Sequence, residues 1–158
     1  MAFIKNIKEF WRPKEFWGVD GKYKELTRAY GAEEVILREG DTTSREMYII
    51  QEGEVRVTKM IAGNETELGT MGKGDFFGEM SLLESEARTA TIVAIKPTKC
   101  LVIQAGGLLV RLRRDPTLAF EMLQKMSARI RNMTEKLGEV LTDRQKSDLA
   151  KVEKLTLD

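Results

Sequence analysis

Glu79 and Arg88 stand nine positions apart, in the stretch Phe77-Gly78-Glu79-Met80-Ser81-Leu82-Leu83 and the Arg88-Thr89-Ala90-Thr91 that follows it. Their side chains suit opposite ends of one ligand. A carboxylate only accepts hydrogen bonds, so Glu79 matches sugar hydroxyls and repels a phosphate. The planar fork of donors on Arg88 can take two phosphate oxygens at once. Gly78 has no Cβ and lets the backbone approach a ligand closely. The pattern predicts one short helical turn opening at Glu79, and the first amides of such a turn (Glu79, Met80, Ser81) have no helical partner, a setting that favours an anion. Taken together, these residues describe a ligand with a ribose end and a phosphate end.

The run F-G-E-M-S-L-L followed by A-R-T-A-T resembles the phosphate-binding cassette of cyclic-nucleotide-binding domains, the superfamily of the catabolite activator protein and the protein kinase A regulatory subunits. The resemblance implies Gly78 and Glu79 at the ribose 2′-hydroxyl, Arg88 on the cyclic phosphate, the Ser81 amide near that phosphate, and Thr89 beside the phosphate or base, with Met80 between them in the ligand-binding set. It implies cyclic AMP, or alternatively cyclic GMP, as ligand, and no cofactor. Threonine at position 89 often accompanies cyclic GMP in the family but is also widespread in domains preferring cyclic AMP, and the reading leans to cyclic AMP. Where many members carry proline before the arginine, this chain has Ala87, which loosens the loop without removing a ligand contact.

Composition removes other chemistries. The chain has no histidine, so neither a Ser-His-Asp nor a Cys-His pair can form, nor a His-ligated metal site. The sequence predicts no catalytic residues, no metal ligands and no enzyme activity. Gly72-Lys73-Gly74-Asp75-Phe76-Phe77-Gly78 is one residue too long for the dinucleotide fingerprint, and no G-x-x-x-x-G-K-[ST] occurs. The lone cysteine, Cys100, lies in an apolar run and reads as a buried core thiol. A single thiol fits a reducing compartment, and a cytoplasmic location is expected. No signal peptide is evident, and the longest apolar stretch, 101–110, is too short to cross a bilayer, so no stable membrane anchor is expected. A net charge of +1 gives no case for nucleic acid, while the segment 34–104, which holds the anion site, is net −4. Phosphate capture there depends on short-range contacts.

The elements that must position the cassette are mainly β. Short apolar runs at Val35–Leu37, Met47–Ile50, Val55–Thr58, Thr66–Leu68, Thr91–Ile95 and Cys100–Ile103 are separated by turn signals at Gly40-Asp41, Gly53, Gly63-Asn64 and Pro97. Such a series fits a closed roll or sandwich. With the resemblance, the fold class expected is a double-stranded β-helix, a jelly-roll-like β-roll, with N-terminal helices and a long C-terminal helix; Gly40, Gly53 and Gly74 fall where the family's turns require glycine. The expected divisions are an N-terminal helical segment at 1–29, the roll at 30–104 with its cassette at 77–91, C-terminal helices at 105–141, and a helical tail at 142–158.

Residues 2–11 place Phe3, Ile7, Phe10 and Trp11 on one helical face, suited to packing on the domain or a partner, or to a membrane surface. Lys22–Tyr30 is expected to continue that helical layer. Asp115-Pro116 reads as an N-cap followed by proline at the first helical position. Beyond it, Leu123, Met126, Ile130, Met133, Leu137 and Val140 are spaced 3-4-3-4-3, a strict coiled-coil seam. The seam suggests a parallel homodimer, with one monomeric helix folded over the pocket as the other arrangement. By resemblance, the base would meet this helix or its dimer mate around Met126–Met133. Thr142-Asp143-Arg144-Gln145 reads as a capping box opening a final segment too short for a helix-turn-helix domain. The function expected is a non-catalytic cyclic nucleotide sensor that relays occupancy through the C-terminal helix to an effector of unknown identity. The alternative is a dimerisation or partner-docking domain of the same fold that works without cyclic nucleotide.

Overall fold

The structure, a computed structural model, describes residues 26–156. The amphipathic stretch 2–11 and the start of the Lys22–Tyr30 stretch lie outside the described residues. The chain divides between Arg114 and Asp115 into two compact units.

Among the described residues the first unit has eight strands: β1 (Leu26–Tyr30), β2 (Val35–Leu37), β3 (Met47–Glu52), β4 (Glu54–Ile61), β5 (Asn64–Gly72), β6 (Phe76–Phe77), β7 (Thr91–Ala94) and β8 (Thr98–Ile103). They form two four-stranded sheets, ordered β1-β8-β3-β6 and β2-β7-β4-β5. Every pairing is antiparallel. Side chains alternate across a strand, so each sheet turns one apolar face inward. Leu37, Tyr48, Ile50, Val55, Phe77, Ile92, Cys100 and Val102 form the core so enclosed. Tyr48 and Phe77 stack with ring centroids 5.1 Å apart and planes 6° from parallel, fixing β6 against β3 just before Gly78. Gly53 joins β3 to β4 at φ 97°, and a Cβ there would lie 2.6 Å from the Thr98 Cα. Only glycine fits that turn.

Two sequence expectations are corrected here. Leu26–Tyr30 is a strand rather than part of a helical layer, in register with β8 from Leu26↔Val102 to Tyr30↔Thr98. The roll therefore includes Leu26 and does not start at residue 30. The cause is tertiary: β8 needs a second neighbour, and Arg28 and Tyr30 alternate onto its partly covered face. The β4–β5 turn is centred on Ala62-Gly63 rather than Gly63-Asn64, because Ile61 and Asn64 already pair. Positive φ at both Ala62 (50°) and Gly63 (82°) gives the primed twist that two-residue hairpins need.

Cys100 has no exposed surface, and burial pushes its thiol up to about 11. The thiolate is the reactive form. The folded protein is expected to leave Cys100 unlabelled by an aromatic disulfide reagent at neutral pH and to react fully once unfolded in denaturant. Rapid stoichiometric labelling under native conditions would contradict the core position.

Helix α1 (Glu79–Glu84) follows Gly78, and α2 (Ala105–Arg114) closes the first unit with Arg111, Arg113 and Arg114 in its last turn, where cations oppose the helix dipole. The second unit is a single helix, α3 (Pro116–Thr156). Asp115 caps it as expected: its Oδ1 accepts the Thr117 amide at 3.1 Å and also the Thr117 hydroxyl. Helix α3 does not stop at residue 141, so Thr142 opens no capping box. Its hydroxyl instead donates back to the Gly138 carbonyl at 2.9 Å, one turn earlier, which leaves the helix free to continue. Along α3, Leu123, Ile130, Met133, Leu137 and Val140 are each between 59% and 66% exposed.

Candidate functional site

β6 delivers the chain to Gly78, whose left-handed φ of 80° turns it into α1. A Cβ at Gly78 would lie 2.8 Å from both Arg88 Nη1 and the Glu46 carbonyl oxygen, so glycine is what allows Arg88 to pack here. The first helical bond of α1 runs from the Leu82 amide to the Gly78 carbonyl at 3.4 Å. The amides of Glu79, Met80 and Ser81 thus precede the helical ladder. Glu79 is 6% exposed at the first position of α1. The buried Ser81 hydroxyl donates to the Glu86 carbonyl at 2.6 Å and pins the loop leading to Arg88. Ser85 in that loop has φ 60° and accepts a bond from Arg45 Nη1 at 3.1 Å, so two side chains hold the stretch around Ala87.

Arg88 is 3% exposed. A two-bond backbone bridge sets its place: its amide donates to the Asp41 carbonyl at 2.9 Å, and its carbonyl accepts from the Gly40 amide at 2.8 Å. The guanidinium lies between the Ser44–Glu46 stretch and the Gly78 turn. Nη1 donates to the carbonyls of Glu46 (2.8 Å) and Gly78 (3.2 Å), and Nη2 donates to Ser44 Oγ (3.0 Å). Nε is buried and has no hydrogen-bond partner among the described residues. Burial lowers the Arg88 pKa, opposed by nearby Tyr48, Asp41 and Glu46. Glu46 is itself held by Tyr48, whose hydroxyl donates to its carboxylate at 3.1 Å, and by an ion pair to Arg28 at 3.3 Å.

Thr89 and Met80 sit at the exposed rim. Thr89 Oγ1 is 3.9 Å from Met80 Sδ, and the Thr89 carbonyl accepts from Lys59 Nζ at 2.6 Å. Lys59 also pairs with Glu39 at 3.2 Å. The structure therefore gathers Gly78, Glu79, Ser81 and Arg88 within the roll and leaves Met80 and Thr89 outside. Sequence reasoning missed Ser44 and Glu46, which fix the guanidinium, and the Glu39–Lys59 pair, which holds the strand end after it. Ser44 and Glu46 lie more than forty positions from Arg88; the one local signal is the polar run Asp41-Thr42-Thr43-Ser44, of which only the Gly40-Asp41 turn was read.

A sequence model of the cyclic nucleotide-binding domain matches residues 27–115. Over 78 residues, 47% of this chain and 10% of the relative, the sequence is 40% identical to cGMP-dependent protein kinase isozyme 1 of Drosophila melanogaster. Among solved structures it is similar to the Thermus thermophilus catabolite activator protein, with TM-score 0.65 and 30% identity, covering 73% of this chain and 55% of that one. The regulatory domain of Toxoplasma gondii PKA, crystallised with cAMP, is similar at TM-score 0.51 and 29% identity, over 54% of this chain and 33% of that one. The chain spans less than half the length of the curated relatives it matches.

Proposed function

Because the chain belongs to the cyclic nucleotide-binding domain family, we propose that it is a non-catalytic sensor that takes cyclic AMP, in preference to cyclic GMP, into its β-roll and relays occupancy through α3. In this reading Arg88 holds the cyclic phosphate together with the Ser81 amide. Gly78 and Glu79 hold the ribose 2′-hydroxyl, Thr89 lies beside the phosphate or the base, and the Met80 amide belongs to the same helical opening. The observation that carries the reading is the donor count on Arg88. Nη1 has both hydrogens on carbonyls, Nη2 has one on Ser44, and Nε has none on any described group. Two of the five N–H donors of a guanidinium remain, on two of its nitrogens, and that is a demand for an acceptor with two oxygens. A buried donor left unpaired costs about 1–3 kcal/mol, so a phosphodiester that accepts from Nε and Nη2 satisfies donors the described protein groups leave over.

The likeness to the kinase regulatory domain crystallised with cAMP agrees with cyclic AMP, and the 40% identity to a cGMP-dependent kinase makes cyclic GMP the competing ligand. A cytoplasmic setting agrees with the reduced Cys100 thiol in the core. The exposed seam on α3 favours a homodimer as the sensing unit. Calorimetric titration of the chain with each nucleotide tests the reading. Micromolar binding, about 8 kcal/mol net, with cyclic AMP the stronger competitor, is expected. No heat and no thermal shift with either nucleotide would leave the docking-domain alternative.

A further inference from the structure

The guanidinium of Arg88 is anchored at Nη1 by two backbone carbonyls, those of Glu46 and Gly78. A third bond, from Nη2 to Ser44 Oγ at 3.0 Å, is the one side-chain contact on its far nitrogen among the described residues and adds to the hold on its orientation. Ser44 is in turn oriented: its hydroxyl donates to Asp41 Oδ2 at 3.4 Å, which leaves its lone pairs for Arg88. Asp41 is fixed by the Thr43 amide at 2.8 Å and the Thr43 hydroxyl at 2.7 Å on Oδ1. The Thr43 hydroxyl and amide, then Ser44 and Arg88, hold the Asp41 carboxyl below the usual carboxylate range, so it is ionised at neutral pH. The backbone of the same Asp41 accepts the Arg88 amide at 2.9 Å. One short loop thus grips Arg88 at its main chain and at the far end of its side chain.

Resting on the assignment of Arg88 to the phosphate, we propose that Ser44, oriented by Asp41, is a positioning residue for phosphate recognition. It completes the three bonds that hold the guanidinium, leaving Nε and the remaining Nη2 hydrogen for the ligand. An arginine side chain gives up considerable rotamer freedom when it is fixed, and fixing it before binding removes that cost from the binding step. Ser44 touches no reacting or ligand atom in this role and acts through Arg88 alone.

Two measurements on the full chain test the role. Ser44→Ala is expected to weaken cyclic AMP binding about three- to tenfold, the net worth of one hydrogen bond. Ser44→Thr, which keeps the hydroxyl, is expected to bind within about twofold of the parent by the same argument. The second readout needs no ligand. The Arg88 Nε–H is expected to give a resolved 15N-edited NMR resonance in the parent and in Ser44→Thr. In Ser44→Ala that resonance should broaden or move, in a protein that still unfolds cooperatively on heating. An unchanged Nε signal in a folded Ser44→Ala would overturn the positioning role. So would unchanged affinity, while tighter binding would make Ser44 a competitor of the phosphate and overturn it equally. Absence of nucleotide binding by the parent chain is a different failure: it would remove the phosphate site itself, and the Ser44 role with it.

Discussion

Arg88→Ala and Glu79→Ala are each expected to weaken cyclic nucleotide binding by at least tenfold, about 1.4 kcal/mol or more. The arginine loss should be the greater. Hydrogen bonds to a charged group contribute about 1.5–3 kcal/mol each, and Arg88 has two donors left for the phosphate. Attraction at long range adds little, since the segment around the site is net −4. Arg88→Ala also removes the donors to the Glu46 and Gly78 carbonyls, so a drop in folding stability of about 1–3 kcal/mol should accompany it. Arg88→Lys separates the two effects, because an ammonium keeps the charge but cannot present a planar fork. Weak binding by a folded Arg88→Lys protein would locate the loss in the fork geometry. Glu79 presents only acceptors, so its truncation removes the partner of the ribose hydroxyl. Isothermal titration alongside thermal unfolding decides the matter: full affinity in both alanine variants would dismiss the site assignment.

The cassette was legible in the sequence because its chemistry is local and residue-specific. Gly78, Glu79, Ser81 and Arg88 stand within eleven positions, and each type has a physical reason to be there. Six strands from Val35 onward were legible as short apolar runs between turn signals, and Gly53 has no room for anything larger, whereas the two-residue β6 at Phe76–Phe77 is too short to show a pattern of its own. What escaped notice was settled by topology. Leu26–Tyr30 carries no pattern strong enough to announce a strand; the open edge of β8 makes it one. Ser44 and Glu46 meet Arg88 because the Gly40-Asp41 turn is stitched to Arg88 by two backbone bonds, and no spacing rule reveals contacts of that separation. At residue 142 the misreading was one of direction. A threonine followed by a glutamine three positions on satisfies the capping pattern, yet its hydroxyl bonds one turn back within an unbroken helix.

That unbroken helix carries the second large prediction. At about 1.5 Å per residue, α3 extends roughly 60 Å, and such a helix is stable through what covers its apolar stripe rather than through propensity. Leu123, Ile130, Met133, Leu137 and Val140 remain mostly exposed in the single chain, on the narrow 3-4-3-4-3 line that two helices share when they supercoil. The seam gives way at Arg144 and Ser147, so a contact between two copies would be confined to about two and a half heptads centred near Ile130. In a two-fold dimer every substitution is felt twice, and Ile130→Asp would set two carboxylates against each other in an apolar layer. Raising the dissociation constant at least a hundredfold needs about 2.7 kcal/mol, which is modest against the several kcal/mol that burying an unpaired charge costs. Sedimentation equilibrium is therefore expected to give twice the 18.0 kDa chain mass for the parent and the single-chain mass for Ile130→Asp with Leu137→Asp at the same micromolar concentration. The roll should be left intact, as judged by an unchanged native Cys100 labelling rate. A parent that sediments as a monomer, or a doubly charged variant that stays dimeric, would show that the stripe on α3 is not where two copies meet.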